Sequence, residues 1–317
     1  MVKALVTGTA GFVGSHLAEK LIAEKHTVIG VDSFLDYYPR TQKENNIKKL
    51  RSNPSFTLIE NCLTKLDLNP ILKDVDVIFH LAAQAGVRSS WGEQFVIYTT
   101  NNINATQRLL EAAKDSKIKR FVYASSSSVY GDTDKLPMQE TDIPCPVSPY
   151  GVSKLAGEHL CNLYYKNYGV PTVSLRYFTV YGPRQRPDMA FHKFFRNAIN
   201  GKTLEIYGNG EQTRDFTFIS DIVAATFNAA SAQNAVGKIF NLGGGSRTSL
   251  KAVLDTINEL THGTLKIEYK ETQKGDVRHT YADTELAKNI LKFNPQVGVK
   301  EGLSREYQWI KDFYKQS

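Results

Sequence analysis

The sequence predicts an α/β protein built on a doubly wound parallel sheet. Three observations predict it: apolar, β-branched runs alternate with stretches long enough for helices, a glycine-rich turn follows the first run, and an acidic residue closes the second. The runs are Val2–Val6, Thr27–Val31, Phe56–Ile59, Val75–Phe79, Phe121–Ala124 and Thr172–Leu175. Such strand–helix–strand repetition implies parallel pairing, with crossover helices covering both faces of the sheet.

The elements follow in chain order. Val2–Val6 leads into Gly8, Gly11 and Gly14, spaced to let the backbone turn tightly and bring a pyrophosphate to a helix N-terminus. Asp32, eighteen residues after Gly14, is placed to accept hydrogen bonds from an adenosine ribose and to repel a 2′-phosphate, which favours NAD over NADP. Two long helical patterns run over roughly Gln94–Lys114 and Tyr150–Tyr168, and helices of this kind can pair between subunits, so a homodimer is expected. Between them, Ser125–Ser128 falls at the C-terminal end of the Phe121–Ala124 strand, where open parallel sheets bind ligands. Tyr150 and Lys154 share a helix face, so the lysine ammonium can favour the ionised phenol and make it a base. Alone, such a pair is two unrelated helix residues. The glycine turn and the serine cluster, in this order, make it a candidate site. Beyond Tyr177 the texture changes to loops rich in Pro, Arg and Gly, with shorter mixed elements, which suggests a smaller second region.

Composition narrows the partners. With 317 residues, 41% hydrophobic and 22% charged, the chain reads as an ordinary globular protein. Its formal charge of +7 comes from scattered cations, which fits an anionic small molecule and no nucleic acid. The three cysteines have no metal-ligand spacing, so no metal is expected and a reducing compartment is. No apolar run reaches the roughly 18 residues of a membrane span and no signal peptide is visible, so a cytoplasmic location and no membrane association are expected.

The segments Thr7–Gly14, Phe79-His-Leu-Ala-Ala83, Ser125–Gly131, Tyr150-Gly-Val-Ser-Lys154, Arg214-Asp-Phe216 and Gly275-Asp276 together resemble the extended short-chain dehydrogenases/reductases that epimerise or dehydrate nucleotide sugars. Gln84-Ala-Gly-Val-Arg88, Tyr177–Pro183 and Arg186-Pro-Asp-Met-Ala190 are most similar to UDP-glucuronate 4-epimerases. The resemblance implies a Rossmann-type NAD-binding domain over 1–178, with a late strand from about 215–242, and an interleaved nucleotide-sugar domain over 179–214 and 243–317. It also implies site residues. Tyr150 is the base for the sugar 4-hydroxyl, Lys154 binds the nicotinamide ribose and depresses the tyrosine pKa, and Ser126 bonds the reacting oxygen. Gly8, Gly11, Phe12, Val13, Gly14, Asp32, Asn61, Cys62, Leu81, Ala82 and Ala83 accompany Lys154 at the cofactor. Arg88, Ser127, Ser128, Thr179, Arg186, Tyr207, Arg214 and Arg278 fall to the UDP-sugar. Arg214 is the expected diphosphate ligand, and Arg186 or Arg88 would balance a sugar carboxylate.

The related dehydratases use an acidic pair, and the decarboxylases generally a glutamate, where Ser127 and Ser128 stand here. Thr179 replaces the asparagine of UDP-galactose epimerases. The expected activity is therefore epimerisation of UDP-glucuronate to UDP-galacturonate. A UDP-glucose 4-epimerase is the alternative, and a non-catalytic NAD-binding sensor is a reading of a different class.

Overall fold

The computed structural model describes residues 1–263, 265–271, 275 and 277–315, so Asp276 of the Gly275-Asp276 motif lies outside the described residues. Its strands are β1 (Lys3–Thr7), β2 (Thr27–Asp32), β3 (Phe56–Glu60), β4 (Val77–His80), β5 (Arg120–Ser126), β6 (Thr172–Tyr177), β7 (Val180–Tyr181), β8 (Thr203–Tyr207), β9 (Thr213–Asp215), β10 (Thr217–Phe218), β11 (Ile239–Leu242), β12 (Arg247–Ser249) and β13 (Lys266–Lys270). Seven of them form one sheet in the order β11-β6-β5-β4-β1-β2-β3, parallel throughout. The chain reverses direction across the sheet between β1 and β4, which opens a crevice at their carboxyl ends.

Both sheet faces are buried, and the two-residue side-chain period sorts the strands between them. Ala4, Val6, Val122 and Val173 face the layer that holds Leu17 and Leu21 of the helix Phe12–Ala23 and Ile222 of the helix Ile219–Ala229. Leu5, Ile78, Phe121 and Tyr123 face Leu109 and Leu110 of the helix Ala105–Lys114 and Cys161 and Tyr164 of the helix Pro149–Tyr168. β4 and β5 are buried along their whole length, and their central stretches Val77–Phe79 and Phe121–Ala124 read as unbroken apolar runs in the sequence.

The predicted Gln94–Lys114 helix is continuous in direction but not in winding. It begins as α-helix over Phe95–Tyr98, loosens into a π-helical stretch over Thr99–Asn104, and resumes over Ala105–Lys114. The loosened turn aims buried Asn102 at the active end of the sheet. Its amide bonds both backbone groups of Gln84 and the Ser153 hydroxyl.

Beyond β6 the elements are mixed and each is shorter than the two long helices, as the change of texture suggests. Helices Ala190–Ile199, Ile219–Ala229, Leu250–Leu260 and Val299–Lys315 each exceed nine residues. The last hides from a periodicity reading because its buried stripe of Leu303, Glu306 and Ile310 is interrupted by a glutamate. Small pairings join these helices: β7 with β10 and β8 with β13 in parallel, β9 with β12 antiparallel. Phe191, Phe195, Leu254 and Leu303 belong to the same apolar cluster as Val6 and Leu175 of the sheet, so this region and one sheet face share a continuous core.

Candidate functional site

The glycine turn builds the first half of the site. Gly8 holds a positive φ of 72°, and a Cβ there would meet the Ala82 backbone at 2.9 Å. A Cβ at Gly14 would stand 2.1 Å from the Gly8 carbonyl oxygen, so only hydrogen lets the helix start this close to the strand end. Gly11 caps that helix with no side chain in the way. The turn, the Phe12–Ala23 N-terminus and the Leu81–Ala83 segment after β4 border one long cleft, which also takes in Asp32, Asn61, Cys62, Tyr150 and Lys154. All the residues expected at the cofactor therefore face a single space.

At the far end of this cleft Asp32 accepts hydrogen bonds from the backbone N–H groups of Ala10 and Phe34, at 3.0 and 2.8 Å. Burial nonetheless raises its pKa, against the pull of Lys43, whose ammonium is 3.9 Å away. The same burial lowers the Lys43 pKa. Lys43, which carries no sequence signal in a segment of scattered cations, stands beside Asp32 on the wall of the same cleft.

His80 locks the middle of the cleft. Thr106 donates to the Asn102 carbonyl at 2.6 Å and so must accept from His80 Nε2, which leaves Nδ1 to accept from Thr7 Oγ1 at 2.8 Å. Thr7 Oγ1 in turn accepts the Ala82 N–H at 3.1 Å. Complete burial and the nearby Lys154 charge hold the ring neutral, with a pKa of about 3. A neutral, fully bonded imidazole thus ties β1, β4 and the π-helical turn together beneath the cofactor wall.

At the other end the Pro149–Tyr168 helix starts at Ser148, whose Oγ accepts the Gly151 N–H at 3.1 Å, and presents Tyr150 in its first turn. Burial raises the Tyr150 pKa; the Ser126 hydroxyl bonded to the phenol and the charge of Arg186 both lower it. The sequence assigns this lowering to Lys154. In the folded chain the lowering comes from Ser126 and Arg186, while the Lys154 ammonium stands 4.6 Å from the Tyr123 ring centroid and is itself pulled down to about 8 by burial.

Arg186 borders the cofactor cleft beside Tyr150. Its Nε and Nη2 donate to the two carboxylate oxygens of Asp188, at 2.9 and 3.0 Å, and Tyr37 donates to the same carboxylate at 3.1 Å. The loop that carries it docks on the Phe12–Ala23 helix through Arg184, whose Nη2 reaches Glu19 at 2.8 Å, and through the Pro183 carbonyl bonded to His16.

A second cavity adjoins the serine cluster. Ser127, Ser128, Ser148, Thr179 and Thr280 line it with Arg214, and no described residue on its wall is acidic. The Arg214 guanidinium is braced by the carbonyls of Thr213, Val277 and Arg278, at 2.9, 2.7 and 3.1 Å. Burial and the charges of Arg247, Arg278 and Arg214 lower the pKa of His279, so three arginines gather at this end. Arg247 has no signal in the sequence. Arg278 contributes its backbone, with its N–H on Asp132 at 2.9 Å, and its side chain is not on the wall. Arg88 and Tyr207 stack on one another at 4.3 Å and border neither cavity, although Val87 borders the second.

The chemistry of the two cavities is complementary. The glycine cradle, a helix N-terminus and an acid at the ribose distance fit a dinucleotide such as NAD in the first. Hydroxyls and clustered guanidinium groups in the second fit an anionic sugar nucleotide.

Comparison with known proteins agrees. The model of the NAD dependent epimerase/dehydratase family matches residues 4–243. A Bacillus subtilis (strain 168) protein named as an uncharacterized UDP-glucose epimerase, YtcB, is 44% identical over 99% of both chains. The UDP-glucuronate 4-epimerase of Thermodesulfobacterium geofontis is 37% identical over 97% of this chain and 96% of its own. A crystal structure of the Bacillus cereus UDP-glucuronic acid 4-epimerase, in complex with UDP-glucuronic acid and NAD, superposes with a TM-score of 0.96 at 44% identity, covering 98% of this chain and 100% of that one.

Proposed function

The chain belongs to the NAD dependent epimerase/dehydratase family, and we propose that it converts UDP-glucuronate to UDP-galacturonate by inverting C4 while the carboxylate is retained. The observation that carries this reading is the wall of the second cavity, where hydroxyls and Arg214 stand and no described acid does. A dehydratase or decarboxylase needs a proton carrier at that wall, and hydroxyls supply only hydrogen bonds.

The cofactor is NAD, which when bound would supply reversible hydride chemistry at C4. Gly8, Gly11 and Gly14 give it room, and Asp32 selects the unphosphorylated ribose. Tyr150, whose ionisation Ser126 and Arg186 favour against the cost of burial, takes the proton of the C4 hydroxyl, and Ser126 holds that oxygen in place. Lys154 supplies positive charge beside the ribose and the phenol. Arg214, with Arg247 and Arg278 close by, holds the diphosphate while the sugar turns about its phosphate linkage. The 4-keto sugar is then a β-keto acid, which loses carbon dioxide only when its carboxylate bond aligns with the ketone π system. Ser127, Ser128 and Thr179 can hold the carboxylate out of that alignment, and Arg186 balances its charge.

The same reading extends to assembly and location. Val96 and Ile97 on one long helix, and Val152, Leu163 and Tyr168 on the other, are exposed apolar side chains that fit a homodimer built on these helices. No helix among the described residues is long and apolar enough to cross a membrane, and all three cysteines are free, as in a reducing cytoplasm.

The test is to incubate the purified protein separately with UDP-glucuronate and UDP-glucose and to resolve the nucleotide sugars. UDP-galacturonate from the first is the expected product. A UDP-pentose there would refute carboxylate retention, and UDP-galactose from the second alone would replace the reading with a neutral-sugar epimerase.

A further inference from the structure

Behind the site, and bordering neither cavity, lies a fully buried ion pair. Arg176 of β6 donates through Nε and Nη2 to the two carboxylate oxygens of Glu158, at 2.9 and 2.8 Å, and the side chains are 2% and 3% exposed. Two charges withdrawn from water cost so much that a matched apolar pair is often as stable or more so. Stability alone is therefore a weak reason for this pair, and its position is more informative.

Glu158 follows Lys154 by one helical turn and Tyr150 by two, on the same face of the Pro149–Tyr168 helix. Its Oε1 also accepts the Ser125 hydroxyl at 2.5 Å, and Ser125 is paired in register with Arg176 and directly precedes Ser126. One carboxylate thus joins the ends of β5 and β6 to the helix that carries the base. The Arg176 guanidinium is packed over the Tyr130 ring at 4.6 Å, which leaves the pair little freedom to swing apart.

The surroundings of Lys154 give the charge a purpose. Facing it are the Tyr123 ring from β5, the His80 imidazole from β4, and Tyr150, Glu158 and Cys161 from its own helix. Burial keeps His80 neutral and raises the pKa of the Tyr123 phenol and of the Cys161 thiol, so neither of the last two is an anion at neutral pH. Among these groups Glu158, ion-paired with Arg176, is the one carboxylate, and it opposes the burial of the ammonium.

We propose that Glu158, clamped by Arg176, is a positioning residue of the catalytic machinery: it fixes the Ser125–Ser126 end of β5 against the catalytic helix and keeps the buried Lys154 in its ammonium form. The inference rests on the Tyr150–Lys154 chemistry proposed above but not on which sugar is the substrate.

The experiment compares Glu158→Gln and the double variant Glu158→Gln/Arg176→Met with the parent protein. It follows the titration of ¹³C-labelled Lys154 by NMR and the pH dependence of turnover. In both variants the lysine should titrate about one unit lower, as expected for loss of a nearby opposite charge, and the alkaline limb of activity should move with it. The double variant has no unpaired guanidinium, so it should recover the parent's thermal stability and keep the shifted titration. A titration unchanged in the double variant would overturn the proposal, as would one restored together with stability. Absence of turnover in the parent would strike at the proposed reaction instead, because the NMR titration needs none.

Discussion

Burial raises the Tyr150 pKa above the ordinary phenol value, and two neighbours oppose that rise: a hydroxyl bond from Ser126 and the charge of Arg186. Tyr150→Phe removes only the ionisable oxygen, so turnover should fall by about 10²–10⁴-fold with bound NAD retained, as measured by rate and by cofactor released on denaturation. A near-normal rate would remove Tyr150 as the base. Thr179, at the sugar cavity, should act on selectivity instead. Thr179→Asn should narrow the ratio of kcat/KM for UDP-glucuronate over UDP-glucose, and an unchanged ratio would dissociate Thr179 from the C6 group. Lys154 gives a prediction with a definite sign. Burial brings it from 10.5 to about 8 in the folded chain. Below that both states are protonated and the full burial cost is present; between the two values the unfolded chain binds more protons, so stability rises with pH. Lys154→Met should therefore raise the Tm of cofactor-stripped protein at pH 7, with the advantage shrinking toward pH 10, even as it abolishes turnover.

Among the elements, the glycine turn is the one whose geometry leaves least choice. A methyl at position 14 has nowhere to go against the Gly8 carbonyl, so Gly14→Ala should destabilise the protein by about 1–3 kcal/mol and lose NAD before it loses the fold. Thermal melts and cofactor content would check this, and full cofactor retention would contradict the cradle. The turn was legible because its demand is local: three glycines at fixed spacing after a strand. The π-helical stretch at Thr99–Asn104 was not, since the pattern over Gln94–Lys114 is that of an ordinary helix and carries no trace of the tertiary bonds that Asn102 makes to Gln84 and Ser153. The Val299–Lys315 helix was obscured for the reason given by Glu306, a buried acid on the apolar stripe that accepts the Gly182 N–H at 2.8 Å.

Across the whole molecule, the proposed homodimer would be built on the apolar side chains exposed on the two long helices. Leu163→Glu should convert a dimer to a monomer in analytical ultracentrifugation while leaving the NAD cleft intact; a parent protein that is itself monomeric would refute the dimer. The shared core carries a second consequence. Because the elements beyond β6 pack in the same apolar cluster as one sheet face, Arg214 of the second cavity, next but one to Phe216 of that cluster, is held by the body of the protein.

The sequence by itself determined the parallel sheet, the glycine cradle, and the identity and order of Ser126, Tyr150 and Lys154, because strand period, helix spacing and glycine requirement act over a few residues. Tertiary structure alone decided that Arg186 shares the cleft with Tyr150 and is braced by Asp188 and Tyr37, that Lys43 sits against Asp32, and that Arg247 joins Arg214. It also placed Glu158 and Arg176 behind the base, and left Arg88 and Tyr207 stacked away from both cavities. Most of these groups meet across elements distant in the chain, and such non-local packing, which leaves no periodic trace in the sequence, is what sets them side by side.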